Sequence, residues 1–340
     1  MSEKEAVEEP GEGEAVDEFD PLRRIGVPEK VASALKDAGY YSVDSLAGES
    51  PYVIFEKLSD LPNMTLKKAE ELVRLARRHI KVRIMTLEEV EAEEAAKRRV
   101  SCGSREVDGI IGGGIATDEL TGVSGPYGVG KTSLVMTAAL NALQLGGSAW
   151  IIDTEGAASV KRVVEMAQAN EMSPEEVKKR VFIFRSTSTA YLIAALEEAY
   201  PFIAKNNVKF IGVDTLVNPF RAEYPLREHL PVRQAKLNRC LRRLLDYAQT
   251  FHLAVVVTNQ VHASPVAVSP YETRPEIINP PTGGHVFLYA VNNHIYLSRA
   301  EKGVFLATLI DSSYMPRREA RYRITAKGVT DVEPKEAKAK

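Results

Sequence analysis

The run Gly125, Pro126, Tyr127, Gly128, Val129, Gly130, Lys131, Thr132 fits the pattern G-x-x-x-x-G-K-[ST]. Glycines in such a run let backbone N–H groups turn inward around phosphate oxygens. Lys131 supplies an ammonium for the β and γ phosphates, Thr132 a hydroxyl ligand for Mg²⁺, and Ser133 continues into the next turn. The run lies between an apolar stretch, Leu120–Ser124, and a helical one at 132–145, whose N-terminus adds a favourable dipole. This arrangement predicts a site for a nucleoside triphosphate, ATP, with Mg²⁺.

Two carboxylates follow at the ends of other apolar runs. Val208–Asp214 ends in an acid, so Asp214 is placed to hold a water of a Mg²⁺ shell, or else to cap a helix. Ser148–Asp153 is followed closely by Glu155, which could orient and deprotonate an attacking water, or again cap a surface helix.

The elements that must position these groups are legible as alternating strands and helices from residue 100 onward. Strands are expected at Leu120–Ser124, Ser148–Asp153, Val181–Arg185, Val208–Asp214, 253–259, 294–298 and 305–311, with helices such as 132–145 and 232–250 between the first five. That alternation predicts an α/β core with a mainly parallel central sheet covered on both faces. Its ligand lies beyond the carboxyl ends of the strands. The last two strands, close in sequence, are expected to be antiparallel and to form one edge.

Ahead of this core, Val27, Val31, Leu35 and Ala38 recur at helical spacing and Gly39 supplies a stop. Residues 65–79 carry Leu66, Ala69, Leu72, Val73 and Ala76 on one face, so residues 21–80 read as an all-α module of five short helices. Residues 81–99 form a charged linker or helical arm, 100–331 the core, and 332–340 a C-terminal tail. Residues 1–20 hold nine acids and one lysine with few large apolar side chains, which predicts disorder. The tail carries −8 of a net charge of −2, leaving a mildly basic body, which is compatible with a polyanionic partner. Two distant cysteines, Cys102 and Cys240, predict no disulfide framework. No apolar stretch is long enough to span a bilayer and the acidic N-terminus is not a signal peptide, so the expected location is cytoplasmic, with no membrane partner.

The order of motifs resembles the RecA/RadA family of recombinases. Ser101 to Asp108 precedes Gly112 to Ile115, the phosphate loop, Ile152 to Glu155, the Asp214 strand, Thr258 to Val261 and Gly283 to His285. The segment from Phe220 to Pro225, with Val232 to Gln234 and Lys236 to Asn238, is similar to archaeal members. The helical module resembles their helix-hairpin-helix domain. The resemblance implies an ATPase of RecA type that acts on single-stranded and double-stranded DNA, self-associates into rings or filaments, and is associated with the nucleoid. It implies Glu155 as the water-activating carboxylate, Arg162 against adenine, and Gln260 as sensor of the γ-phosphate. His285 would lie near a neighbouring subunit's nucleotide, with Asp311 and Pro316 as a cap across the subunit interface. The first DNA segment falls around 221–233, where Arg221, Arg227 and Arg233 are interleaved with Tyr224, His229 and prolines; a solvated lead-in to a helix is the alternative. The second falls at 262–282 and contains Arg274.

Several positions depart from the family pattern. Ile84 and Leu87 stand where a Phe-x-x-Ala plug is usual, and Leu needs more room than a small residue. Pro126, Tyr127, Val129 and Ser133 replace the common Glu, Phe, Ser and Gln, and Gly156 to Ser159 lacks a Phe-Arg pair. Ser264 replaces an arginine. Pro28 and Pro62 stand in the expected hairpins, where proline lacks the N–H that would meet phosphate. Two readings follow: a strand-exchange recombinase, or a paralogue with ATPase activity that assists the main recombinase.

Overall fold

The computed structural model describes residues 20–80, 84–261 and 274–333, so residues 1–19, 81–83, Ser264 and the rest of 262–273, and 334–340 lie outside the described residues. The chain divides into two compact units, with the boundary between Thr86 and Leu87.

The first unit has helices at Pro21–Arg24, Glu29–Asp37, Val43–Ala47, Pro51–Lys57 and Leu66–His79. Leu22, Leu35, Leu46, Ile54 and Ala69 are wholly buried among them, and burial of such side chains stabilises by roughly 1.5–3 kcal/mol for each large one. Ser42 caps one helix by accepting from the Ser45 N–H, and Thr65 caps another by accepting from Lys68. Asp20, grouped with the tail by composition, belongs instead to this unit. It is buried, caps the first helix through the Leu22 N–H and meets Lys36 at 2.6 Å. A buried carboxylate needs such partners.

In the second unit, a helix at Leu87–Ala96 buries none of its residues. A small antiparallel pair, β1 (Arg99–Val100) and β2 (Ile115–Ala116), precedes the main sheet. The main strands are β3 (Leu120–Ser124), β4 (Ser148–Asp153), β5 (Val181–Arg185), β6 (Val208–Asp214), β7 (Ala254–Asn259), β8 (Asn293–Glu301), β9 (Val304–Ser312), β10 (Arg318–Thr325) and β11 (Gly328–Asp331). They lie in the order β11-β10-β9-β8-β3-β7-β6-β4-β5. From β5 to β8 all pairings are parallel; β8 to β11 pair antiparallel.

The fully buried central strands explain their near-continuous apolar runs, since helices cover both faces. The antiparallel edge is longer than the two strands expected, because β10 and β11 extend it. Residues 221–233 also differ from the loop expected there. Arg221 lies in a helix, Val217–Glu223, Arg227 in a 3₁₀ turn, and Arg233 in the long helix Leu230–Phe251, leaving only a short irregular link around Pro225. Buried Phe220 and Leu237 anchor the two flanking helices, so packing takes precedence over the prolines.

Candidate functional site

The strand-to-helix turn after β3 is built around its glycines. Gly128 and Gly130 have φ of +75° and +94°, a region that favours glycine. A Cβ on Gly125 would strike the Leu297 carbonyl, and one on Gly130 would strike Ile324. Gly130 opens the helix Lys131–Ala142 in a left-handed conformation with no side-chain cap, so the first N–H groups of that helix face outward for an anion. Lys131 is largely buried and donates to the carbonyls of Gly125 (2.8 Å) and Pro126 (2.9 Å). Burial pushes its pKa down, while Asp214 and Glu155 act against that shift.

The strand under the loop is tied to β8 through the Ser124 hydroxyl and His294 Nε2, 2.7 Å apart. His294 is wholly buried, its Nδ1 has no partner among the described residues, and burial pushes its pKa down to about 4. The unfolded chain, with a histidine pKa of about 6.5, therefore takes up a proton first, and stability is lost as pH falls from about 6.5 towards 4. By pH 5 the loss from this one group is about 2 kcal/mol. His294→Gln is expected to flatten that dependence, measured as the difference in unfolding free energy between pH 7 and pH 5. An unchanged difference would exclude His294 as its source.

Asp214, the last residue of β6, is buried between two hydroxyls. Thr132 donates to its Oδ2 and Thr258, on β7, to its Oδ1, each at 2.5 Å. Burial raises its pKa and those hydrogen bonds oppose the rise. A hydroxyl and a carboxylate beside a phosphate loop form an oxygen donor set suited to Mg²⁺, which usually keeps waters and takes only one or two protein ligands. The described residues contain no cluster of three or more acids, histidines or cysteines that would point to another metal.

Glu155 stands just beyond β4. Its Oε1 accepts from the Thr215 hydroxyl (2.9 Å) and from Gln260 Nε2 (2.6 Å), bringing together groups that follow β4, β6 and β7. Gln260 in turn offers its carbonyl to the Thr282 N–H (2.9 Å) and hydroxyl (3.0 Å), and Val261 bridges Pro281. Asn259 and Thr282 are joined by two further hydrogen bonds. The segment expected at 262–282 is thus closed at its base directly beside Glu155.

A cleft of about 560 Å³ is lined by Gly125, Pro126, Tyr127, Gly128, Gly130, Lys131, Thr132, Ser133, Glu155, Asp214 and Gln260. Val129 is buried behind it, and its carbonyl accepts from the Tyr322 hydroxyl at 2.6 Å. Met136, Ala157, Val261 and Ile324 also line the cleft, and no motif in the sequence marks them as cleft residues. Ile324 comes from β10, where Ala320, Tyr322 and Ile324 alternate with Arg321 and Arg323, a period-two signal that could have found it.

Arg162 does not line the cleft. Its guanidinium donates to the Thr325 carbonyl at 2.5 Å, one residue beyond Ile324. Asp311 and Pro316 are exposed and likewise not brought to the cleft within this chain. His285 is exposed and stacks on Tyr289, with ring centroids 5.5 Å apart. Arg221, Arg227 and Arg274 are exposed, whereas Arg233 is half-buried and donates to the Tyr224 carbonyl at 3.2 Å.

Glycines that admit no Cβ, an outward-facing helix terminus, one ammonium and an oxygen donor set fit a triphosphate with its metal. Comparison with known proteins agrees with that geometry. The Rad51 family model matches residues 95–332. The DNA repair and recombination protein RadA of Metallosphaera sedula is 34% identical over 315 residues, covering 91% of this chain and 94% of that protein. RadA of Ignicoccus hospitalis is 34% identical over 319 residues with the same coverage, and that of Aeropyrum pernix 31% over 314 residues, covering 91% and 95%. The chain belongs to the RecA/RadA family, whose members are ATPases.

Proposed function

We propose that the protein is an ATP-dependent recombinase of RadA type, which assembles on single-stranded DNA and promotes pairing and strand exchange with a duplex. The observation that carries this reading is Gln260. Its side chain is bonded to Glu155 in the cleft while its backbone closes the base of the 262–282 segment, so a change at a bound γ-phosphate is passed directly to a candidate DNA-binding segment.

In this reading Lys131 and the loop amides bind the triphosphate, and Thr132 and Asp214 hold Mg²⁺, which when bound neutralises phosphate charge. Glu155 activates the attacking water, with Gln260 as sensor. Ile324 supplies an apolar wall for the base, near Arg162. Asp311, Pro316 and His285 act across a subunit interface, which agrees with their exposure away from the cleft of their own chain. Arg221, Arg227, Arg233 and Arg274 contact DNA phosphates, so affinity falls as salt rises.

Self-association has a physical candidate as well. β5 is the outermost strand of the sheet, and beside it an apolar groove of about 310 Å³ is lined by Trp150, Phe182, Phe184, Ala199 and Phe202. Ile84 is 93% exposed in a non-helical segment. Ile84 of a second copy is the occupant we propose. A groove already filled by aromatic rings suits a plug smaller than phenylalanine.

The test is to mix the protein with ATP, Mg²⁺ and single-stranded DNA, image it by electron microscopy and assay joint molecules with a homologous duplex. Regular filaments and joint molecules are expected, both lost in Ile84→Arg. Particles that join filaments only when another recombinase is added would overturn the reading in favour of an accessory role.

A further inference from the structure

Beyond β4 the chain runs through Glu155, Gly156, Ala157, Ala158 and Ser159, a turn with no large side chain to wedge it in place. Buried Thr154 ties its start to Asp214 and Thr215, and beyond that residue one buried carboxylate sets its course. Asp153 Oδ1 accepts from the N–H groups of Glu155 (3.2 Å) and Ala157 (3.0 Å), and Oδ2 accepts from Ala158 (3.1 Å). Its side chain is fully shielded from solvent, so its charge needs compensation. Arg185 supplies it. The two residues are side-by-side partners at the ends of parallel strands β4 and β5, with Arg185 Nε 3.4 Å from Asp153 Oδ2. The same guanidinium donates to the Ala158 carbonyl at 2.7 Å, so both backbone polar groups of Ala158 are held by the pair.

We propose that Asp153 and Arg185 are positioning residues that act through Glu155: the pair fixes the backbone from which that carboxylate enters the cleft. Neither residue lines the cleft itself. The inference rests on the reading of Glu155 as the water-activating group. Thr215 and Gln260 hold the Glu155 side chain from β6 and β7, and the clamp holds its backbone from β4 and β5. Loss of the guanidinium leaves a buried charge with only amide partners, and the turn relaxes to bring solvent to it. A shift of about 1 Å in a reacting group costs up to about 10²-fold in rate.

The experiment compares Arg185→Ala and Arg185→Lys, each alone and combined with Glu155→Gln. DNA-stimulated ATP turnover is measured under steady-state and single-turnover conditions, with binding of a fluorescent ATP analogue. Arg185 is half-exposed at the end of its strand, so these variants are expected to fold where Asp153→Asn, which disturbs three amide bonds, is the riskier probe. Arg185→Ala should lower kcat by about ten- to a hundredfold, with KM and analogue affinity within about twofold. Arg185→Lys should recover part of that loss, and Arg185→Ala should add no further loss once Glu155 is glutamine. An equal loss in the Glu155→Gln background, or a raised KM at unchanged kcat, would overturn the clamp while leaving the role of Glu155 intact. Wild-type turnover in Glu155→Gln alone would instead remove the reading on which the clamp rests.

Discussion

Lys131→Ala is expected to weaken ATP binding by about a hundredfold or more while leaving the protein folded. In the proposed complex the ammonium would make charged hydrogen bonds to phosphate oxygens, each worth about 1.5–3 kcal/mol, and two of them account for that loss. Without ligand, Lys131 donates to two carbonyls of its own loop, and burial disfavours its charged form. Alanine removes that desolvation cost together with the two hydrogen bonds, and both carbonyls border an open cleft where water can replace the ammonium. The unliganded variant should therefore unfold within a few degrees of the parent. Titration with a fluorescent ATP analogue and thermal unfolding with and without ATP separate the two effects. The parent gains stability from saturating ATP by mass action and the variant does not. Affinity within about threefold of the parent would show that the loop does not bind the triphosphate as argued.

What the sequence made legible, and what it hid, divides along physical lines. Strands β3, β4, β6 and β7 are readable to within a residue because both faces are buried, and the edge strand β5 because it keeps an apolar run from Val181 to Phe184 although it is only partly buried. Their apolar runs each close on a polar or charged residue, as Phe210 to Val213 does at Asp214. The phosphate loop was readable because glycine is required at positions where a Cβ would collide. β10 was missed because its solvent-facing arginines mask an alternating strand, and with it went Ile324, a cleft wall about 190 residues downstream of the loop. The link from Glu155 to Gln260 depends on register between strands, and spacing along the chain carries no such information. Asp153 was visible as part of a motif, yet its work, three backbone N–H groups and one guanidinium, appears only once β4 and β5 lie side by side. Around Arg221 and Arg227, Pro225 and Pro231 interrupt the helical pattern and suggest a basic loop that runs up to the helix expected from 232. In the structure Pro231 sits in the first turn of a helix, where its missing N–H costs nothing. Asp311 and Pro316 lie outside the cleft of their own chain, and their proposed place depends on a second copy.

Glu155→Gln is expected to lower ATP turnover by about 10²- to 10⁴-fold while leaving ATP affinity within a few fold. Glutamine keeps the shape of the side chain and one carbonyl oxygen. Both groups that hold Glu155 donate to the same oxygen, Oε1, from the Thr215 hydroxyl and from Gln260 Nε2. The glutamine carbonyl is therefore drawn towards those donors, and its amide NH₂ takes the place of Oε2. That second oxygen has no partner among the described residues, which leaves it as the one able to accept a proton from water. The substitution puts a donor where an acceptor is needed, so the base is lost while the connection to Gln260 survives. Two outcomes should then separate. Phosphate release under single-turnover conditions should fall with kcat. On the reading of Gln260 as γ-phosphate sensor, the ATP-dependent assembly on single-stranded DNA should persist and last longer, because the γ-phosphate remains in place. A variant that hydrolyses ATP within about threefold of the parent would exclude Glu155 as the base. One that loses turnover and assembly together would place its main effect on the Gln260 connection instead of on the proton.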